Sequence, residues 1–386
     1  MTKRPSGDVV VVGAGMVGAA CALYAARAGL DVVLVDRGPV AGGTTGAGEG
    51  NLLVSDKEPG PELQLALLSL RLWAELAEQL SVDVEYEPKG GLVVASTPES
   101  LGALTDLAAG QRAAGVETVA VSPARLPDCE PHLAPDLAGG VLYPQDAQVM
   151  PTLAAAHLVR ASGARLETGR TVTSVLRGGD GAVRGVRTDR GDLLAPAVVN
   201  AAGTWGGEIA AMAGAALPVL PRRGFVLVTE PLPPRVRHKV YAADYVADVA
   251  SDSAALQTSP VVEGTAAGPV LIGASRERVG FDRSFSLPVV RALAAGATRL
   301  FPFLTDVRVM RTYLGFRPYL PDHLPAIGPD PRVPGLFHAC GHEGAGIGLA
   351  TGTGQLLAQA LTGRSPELDL TPFRPDRFAE TEEAAR

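Results

Sequence analysis

Residues 9–36 set two apolar β-type runs around a glycine-rich turn and an alanine-rich segment, and few folds accept that arrangement. Val9-Val10-Val11-Val12 is a continuous β-branched run, as expected of a central parallel strand buried on both faces. Gly13-Ala14-Gly15-Met16-Val17-Gly18 follows, then Ala- and Leu-rich sequence as far as Ala28 and Gly29, then Val32-Val33-Leu34-Val35 stopping at Asp36. The spacing predicts a βαβ unit of about thirty residues. Gly13 permits the tight turn, Gly15 lets the backbone approach a pyrophosphate, and Gly18 allows the helix to lie close on the sheet. The first helical turn, with Met16 and Val17, then offers its amides and dipole to the anion. Asp36, about twenty residues on, is placed to accept from a ribose hydroxyl. Arg37 beside it leaves an opening for a 2′-phosphate. A dinucleotide site is the expectation; a merely structural turn is the alternative.

At 386 residues the chain is long enough for two domains. Apolar residues make up 46% and charged residues 19%, with 46 Gly and 31 Pro, which fits a globular, turn-rich enzyme rather than a disordered or fibrous chain. A formal charge of -7 gives no basic footprint for nucleic acid. Cys21, Cys129 and Cys340 have neither metal-ligand spacing nor an even count, so structural thiols are expected, with no metal site and no disulfide framework, in a reducing compartment. Lys3-Arg4 ahead of an apolar stretch superficially resembles a signal peptide, but the fingerprint glycines interrupt that stretch and no apolar run approaches transmembrane length. A cytoplasmic protein is expected.

Residues 42–51 read as a Gly/Thr loop, and 62–80 as a helix with Leu63, Leu67, Leu70 and Leu76 on related faces. Strands are expected over 82–87 and 90–95, a helix over 101–114, and a proline-interrupted connection over 123–135. A helix over 152–161 leads into strands between 165 and 199. Further strands are expected over 225–229 and 270–272, joined by a polar stretch over 231–268. A helix over 286–301, strands over 308–316 and 336–340, and a helix over 347–361 complete the chain before a polar tail at 380–386. The fold expected is α/β: a discontinuous Rossmann-like domain from 1–82, 147–216 and 308–386, and a smaller α+β domain with an antiparallel sheet from 83–146 and 217–307.

A nicotinamide domain has no general need for a second Gly/Thr loop straight after its second strand, whereas an extended FAD needs further donors along its diphosphate and ribityl. Gly42-Gly43-Thr44-Thr45-Gly46-Ala47-Gly48 supplies one, and Val198-Val199-Asn200-Ala201-Ala202-Gly203-Thr204-Trp205 resembles a second flavoprotein signature. Together with Gly315-Phe316-Arg317-Pro318 and Gly341-His342-Glu343-Gly344, these segments resemble the FAD-dependent D-amino-acid oxidase, glycine oxidase and sarcosine oxidase superfamily along essentially the whole chain. Pro221-Arg222-Arg223-Gly224, Ile272-Gly273-Ala274-Ser275-Arg276-Glu277 with Gly280-Phe281-Asp282, and Gly341-His342-Glu343-Gly344 resemble the β subunits of D-hydroxyproline, proline and opine dehydrogenases. The resemblance implies FAD contacts from the fingerprint, from Gly43, Thr44, Thr45, Gly48 and Asn51, and from Val172, Ala201, Ala202, Gly203 and Trp205. It adds Gly315 and the loop of Gly344, Ala345, Gly346, Ile347 and Gly348. No cysteine stands near Arg317, where the sarcosine oxidases attach their flavin, so FAD is expected to be noncovalent.

Arg317 is the expected substrate anchor, because a guanidinium forms two parallel bonds to a carboxylate. A structural ion pair is its alternative role. Gly341 to Gly348 is expected to open a helix whose amides and dipole face the pyrimidine end of the flavin, with His342 as a further contributor or, alternatively, a satisfied structural residue. Tyr313 and Tyr319, with Tyr241 and Tyr245, are candidate pocket residues, and Pro318 and Pro321 are expected to end the strand carrying Arg317. One of Arg222 and Arg223 is a candidate to approach the site, the alternative being solvent exposure. The resemblance implies oxidation of an amino or imino acid, D-hydroxyproline or D-proline first, by hydride transfer to flavin N5. Glycine, sarcosine or a linear D-amino acid is the alternative substrate; a non-catalytic FAD-binding subunit and an NAD-dependent dehydrogenase are the rivals. It also implies a second flavoprotein subunit and a small [2Fe-2S] protein as partners.

Overall fold

The computed structural model describes residues 5–80, 82–243 and 256–378. Its first sheet runs Ala326–Pro329, Leu336–Cys340, Ala197–Asn200, Val9–Val12, Val32–Asp36, Arg165–Thr168. All neighbours are parallel except the first pair. Side chains alternate across a strand, so the valine run divides between two cores. Val9 and Val11 pack with the helices Met16–Arg27, Pro151–Ser162 and Ala350–Leu361. Val10 and Val12 pack under the antiparallel strands Val172–Arg177, Val183–Thr188 and Gly191–Leu194. Each valine therefore has a buried place, which is why the run has no polar alternation.

The second sheet has eight strands in the order Val309–Tyr319, Leu220–Thr229, Val270–Arg276, Gln257–Gly264, Lys239–Ala242, Gly91–Ala95, Gly139–Tyr143, Val119–Val121. It is antiparallel apart from the parallel pair Lys239–Ala242 and Gly91–Ala95. One face packs on the helix Leu287–Leu300, where Val289, Leu293 and Ala297 meet Phe225, Leu227, Val262 and Ile272. The alternate residues, Arg222, Gly224 and Val226, point the other way.

Several expectations are corrected. Residues 82–87 form no strand: Glu85 turns the backbone to φ +54°, and only an isolated bridge joins Glu87 to Gln148. The stretch 231–268 contains the strands Lys239–Ala242 and Gln257–Gly264, so it is not merely a polar connection. Pro318 does not end its strand, which continues to Tyr319 with Pro318 opposite Pro221. This is an edge strand, where a missing N–H is tolerated. The same strand lies in the antiparallel sheet, whereas the sequence assigns 308–386 to the parallel domain. The terminal helix begins at Ala350, after a 3-10 turn at Glu343–Ala345, and not at 347.

Candidate active site

A cavity of about 380 Å³ extends from the fingerprint to the antiparallel sheet. At one end, Gly13 adopts φ +111° and passes so close to the Ala201 carbonyl that a Cβ would stand 2.3 Å from its oxygen. Gly18 packs as tightly, with a Cβ position 1.8 Å from the Gly13 carbonyl oxygen. Gly15, Met16 and Val17 open on the cavity at a helix start, where the first amides have no intrahelical acceptor. The Met16 amide donates to Thr45 Oγ1 at 2.9 Å. Asp36 also lines the cavity; its carboxylate accepts from the Ala14 and Gly38 amides, each at 2.7 Å. The Arg37 guanidinium stacks on Trp205 at 3.9 Å, and Trp205 stacks in turn on Phe281.

The Gly/Thr loop runs along the cavity through Gly43, Thr44, Thr45, Gly48 and Asn51, and Val172 lines the wall with Ala201, Ala202 and Gly203. Thr44 and Thr204 both donate to the Phe316 carbonyl, at 2.6 and 3.0 Å. These bonds tie the loop and the Gly203–Trp205 turn to the residue before Arg317. Gly315 meets the same loop, since a Cβ there would lie 2.7 Å from Ala47 Cβ. Arg317 lines the cavity from the antiparallel sheet; its Nη1 donates to the Ser275 carbonyl at 2.8 Å and its side chain passes between Gly224 and Gly344.

Arg222 faces Arg317 across the strand pair but is committed elsewhere. It is fully buried, 2.5 Å from Glu343 and 2.6 Å from Gln257. Burial alone would raise the Glu343 pKa, but hydrogen bonds from His323 and Arg222 and their charges hold it at about 2. Arg223 pairs with Glu277 and Asp282 and is also buried, so neither arginine is solvent-exposed.

Gly344, Gly346 and Ile347 line the cavity, whereas Gly18, Ala345, Gly348 and Tyr313 stand behind the lining. Trp73 Nε1 pins this loop by donating to the Ile347 and Gly348 carbonyls, both at 3.2 Å. His342 lines the cavity yet is 3% exposed, and Nε2 pairs with Thr353 at 3.0 Å. Burial lowers its pKa to about 3, so it is a neutral ring and not a cation. Tyr313 donates to the Gly48 carbonyl at 3.3 Å. Tyr319 is buried against His323, and Tyr241 is a core residue donating to Ser55 at 2.5 Å. Tyr245 lies outside the described residues. Cys340 borders the cavity as a thiol, its pKa pushed up to about 12 by burial. Among the described residues no acid, His and Cys cluster could hold a metal.

The sequence reading missed Glu49, Gly224 and Glu343 as site residues. A lone carboxylate inside Gly48-Glu49-Gly50 was the available signal for the first. The other two needed the register of the Leu220–Thr229 and Val309–Tyr319 strands.

The family model DAO, FAD dependent oxidoreductase, matches residues 8–360. This chain belongs to the DAO family of FAD-dependent oxidoreductases. Similar relatives include the hydrogen cyanide synthase subunit HcnC of Pseudomonas aeruginosa, 31% identical over an alignment of 417 residues covering 96% of each chain. The glycine oxidase of Geobacillus kaustophilus is 30% identical, with 95% of this chain and 96% of the relative covered. Its crystal structure superposes with a TM-score of 0.87 at 29% identity, over 96% and 98% of the two chains. The L-proline dehydrogenase structure from P. horikoshii shares the fold, with a TM-score of 0.89 at 22% identity over 98% and 99%. DAO-family membership and the geometry agree on the cofactor: an elongated cavity with an open helix start and a carboxylate at one end fits FAD. No described helix is long and apolar enough to cross a membrane.

Proposed function

We propose that this FAD-dependent oxidoreductase oxidises an α-amino or α-imino acid, with Arg317 anchoring the substrate carboxylate. The observation that carries this reading is that Arg317, on a strand of the antiparallel sheet, lines the same cavity as the fingerprint. Its guanidinium is steadied by the Ser275 carbonyl, and Arg222 is already neutralised by Glu343. The fingerprint amides, Asp36, the Gly/Thr loop and the Ala201 to Trp205 turn hold the cofactor noncovalently. When bound, FAD supplies a two-electron acceptor for the carbon next to the substrate nitrogen.

Arg317 fixes the acid so that its reacting carbon is presented in one orientation. Gly224 lets the guanidinium lie against its backbone, since a Cβ there would stand 2.2 Å from Nη1, and Gly344 borders the same side chain. Neutral His342 lends no positive charge to the site. A cyclic secondary amine such as D-hydroxyproline or D-proline is the first substrate to try, from the likeness of Pro221-Arg222-Arg223-Gly224 and Ile272 to Glu277 to β subunits acting on such compounds. A relative named glycine oxidase supports glycine or a linear amino acid as the second. A relative named as a subunit of hydrogen cyanide synthase supports work as one subunit of a complex, for which a second flavoprotein and a small [2Fe-2S] protein are the partners to look for.

Anaerobic mixing of the holoenzyme with D- and L-forms of proline, hydroxyproline and linear amino acids, with glycine and sarcosine, tests the proposal through loss of flavin absorbance. Bleaching by at least one of these acids is expected. A flavin that none of them reduces contradicts amino-acid oxidation and favours a non-catalytic FAD-binding subunit.

A further inference from the structure

Glu49 enters the site from the Gly/Thr loop and meets the inward face of the antiparallel sheet. It lines the same cavity as Arg317, and its side chain is 6% exposed. Both carboxylate oxygens rest over Gly273, where a Cβ would stand 2.8 and 2.9 Å from them. Oε1 accepts no hydrogen bond among the described residues. Lys239 Nζ lies 3.8 Å from that oxygen, but Lys239 is bonded to Glu263 at 2.5 Å and to Asn51. A buried carboxylate oxygen without a donor is costly. Its complement is a small molecule carrying an N–H donor, within the electrostatic reach of Arg317.

We propose that Glu49 is a second substrate-binding group of this site, which accepts the N–H of the substrate ammonium and takes its proton. The inference rests on the carboxylate reading of Arg317, and together the two side chains clamp a zwitterion. In the step assigned to Glu49 one N–H bond breaks and one O–H bond forms at Oε1. The bonding pair stays on nitrogen, which thereby acquires the lone pair needed for oxidation of the adjacent carbon to an imine. The groups facing Glu49 are Lys239, Glu263, Arg276, Arg317 and Tyr313, each from the antiparallel sheet. Desolvation raises the Glu49 pKa, Lys239 opposes it, Glu263 adds to it, and Arg317 and Arg276 oppose it. The net upward shift brings the carboxylate closer in basicity to an amine, the direction a proton acceptor requires.

The test compares wild type with Glu49→Gln as holoenzymes. D-proline is the reacting probe, and cyclopentanecarboxylate, the same ring without nitrogen, is read by perturbation of the flavin spectrum. The substitution should slow anaerobic flavin reduction at neutral pH by about 100-fold or more. It should also abolish the acid limb of the rate-pH profile and leave cyclopentanecarboxylate affinity within about threefold, since that ligand has no N–H to lose. Glu49→Asp should keep the acid limb at a reduced rate, which guards against an effect of Gln on folding. An unchanged acid limb, or equal weakening of both ligands in Glu49→Gln, overturns the assignment in favour of a structural partner for Lys239. The two readings fail separately: cyclopentanecarboxylate binding in Arg317→Ala reports on the carboxylate anchor alone.

Discussion

Gly18→Ala is a sharp test of the cofactor cradle, because the structure specifies what the added methyl meets. Its carbon would stand 1.8 Å from the Gly13 carbonyl oxygen, 2.9 Å from the Gly13 carbonyl carbon and 3.4 Å from Ala201 Cβ. Since carbon contacts are comfortable at roughly 3.5 Å, the helix must retreat from the turn by about 1.7 Å. Such overpacking costs about 1–3 kcal/mol in stability. The same retreat carries the first-turn amides away from the pyrophosphate. A lost hydrogen bond to a charged group contributes about 1.5–3 kcal/mol, so FAD affinity should fall on the order of 10- to 150-fold. Titration of apoprotein with FAD measures this, alongside the flavin-to-protein absorbance ratio after gel filtration. Gly102→Ala is the control: it lies within the helix Pro98–Ala113 with nothing within 4 Å of its Cβ position. That change should leave FAD binding unaltered and add about 0.5–1 kcal/mol of stability. Wild-type FAD affinity in Gly18→Ala would refute the close-packed cradle.

Gly224→Ala should retain FAD but raise the substrate half-saturation at least about tenfold, because its Cβ would lie 2.2 Å from Arg317 Nη1 and 2.7 Å from the Ser275 carbonyl oxygen. An unchanged half-saturation would mean that the position of the guanidinium does not matter. Glu343 makes a pH prediction: its folded pKa is about 2 against an ordinary 4.5, so its stabilisation is present above pH 4.5 and is lost as pH falls through about 2. Glu343→Gln should flatten acid unfolding over that window and lower stability at neutral pH by about 3–5 kcal/mol, by leaving Arg222 buried without its carboxylate. Denaturant midpoints across the pH range measure both effects.

The parallel half of the fold was legible because its signals are local. The valine run, three spaced glycines and Asp36 lie within one short βαβ unit, and each has a single geometric task there. The antiparallel half was less legible because its partners are distant in sequence. Nothing near Arg222 announces that Glu343 will neutralise it, and nothing near Glu49 announces Lys239 or Gly273. Local chemistry also misled where tertiary placement prevailed. Pro318 signals a strand end, yet an edge position lets the strand continue to Tyr319. Tyr241 has the composition of a pocket residue, but alternation and the Ser55 hydroxyl place it in the core.

The proposed hold of Arg317 on a substrate carboxylate is measured by the concentration dependence of anaerobic flavin reduction in Arg317→Ala. Two charge-assisted bonds at about 1.5–3 kcal/mol each predict a rise in half-saturation of about 100-fold or more, with the flavin spectrum of the resting enzyme unchanged. Reduction at wild-type substrate concentrations by an enzyme lacking this guanidinium would contradict the account.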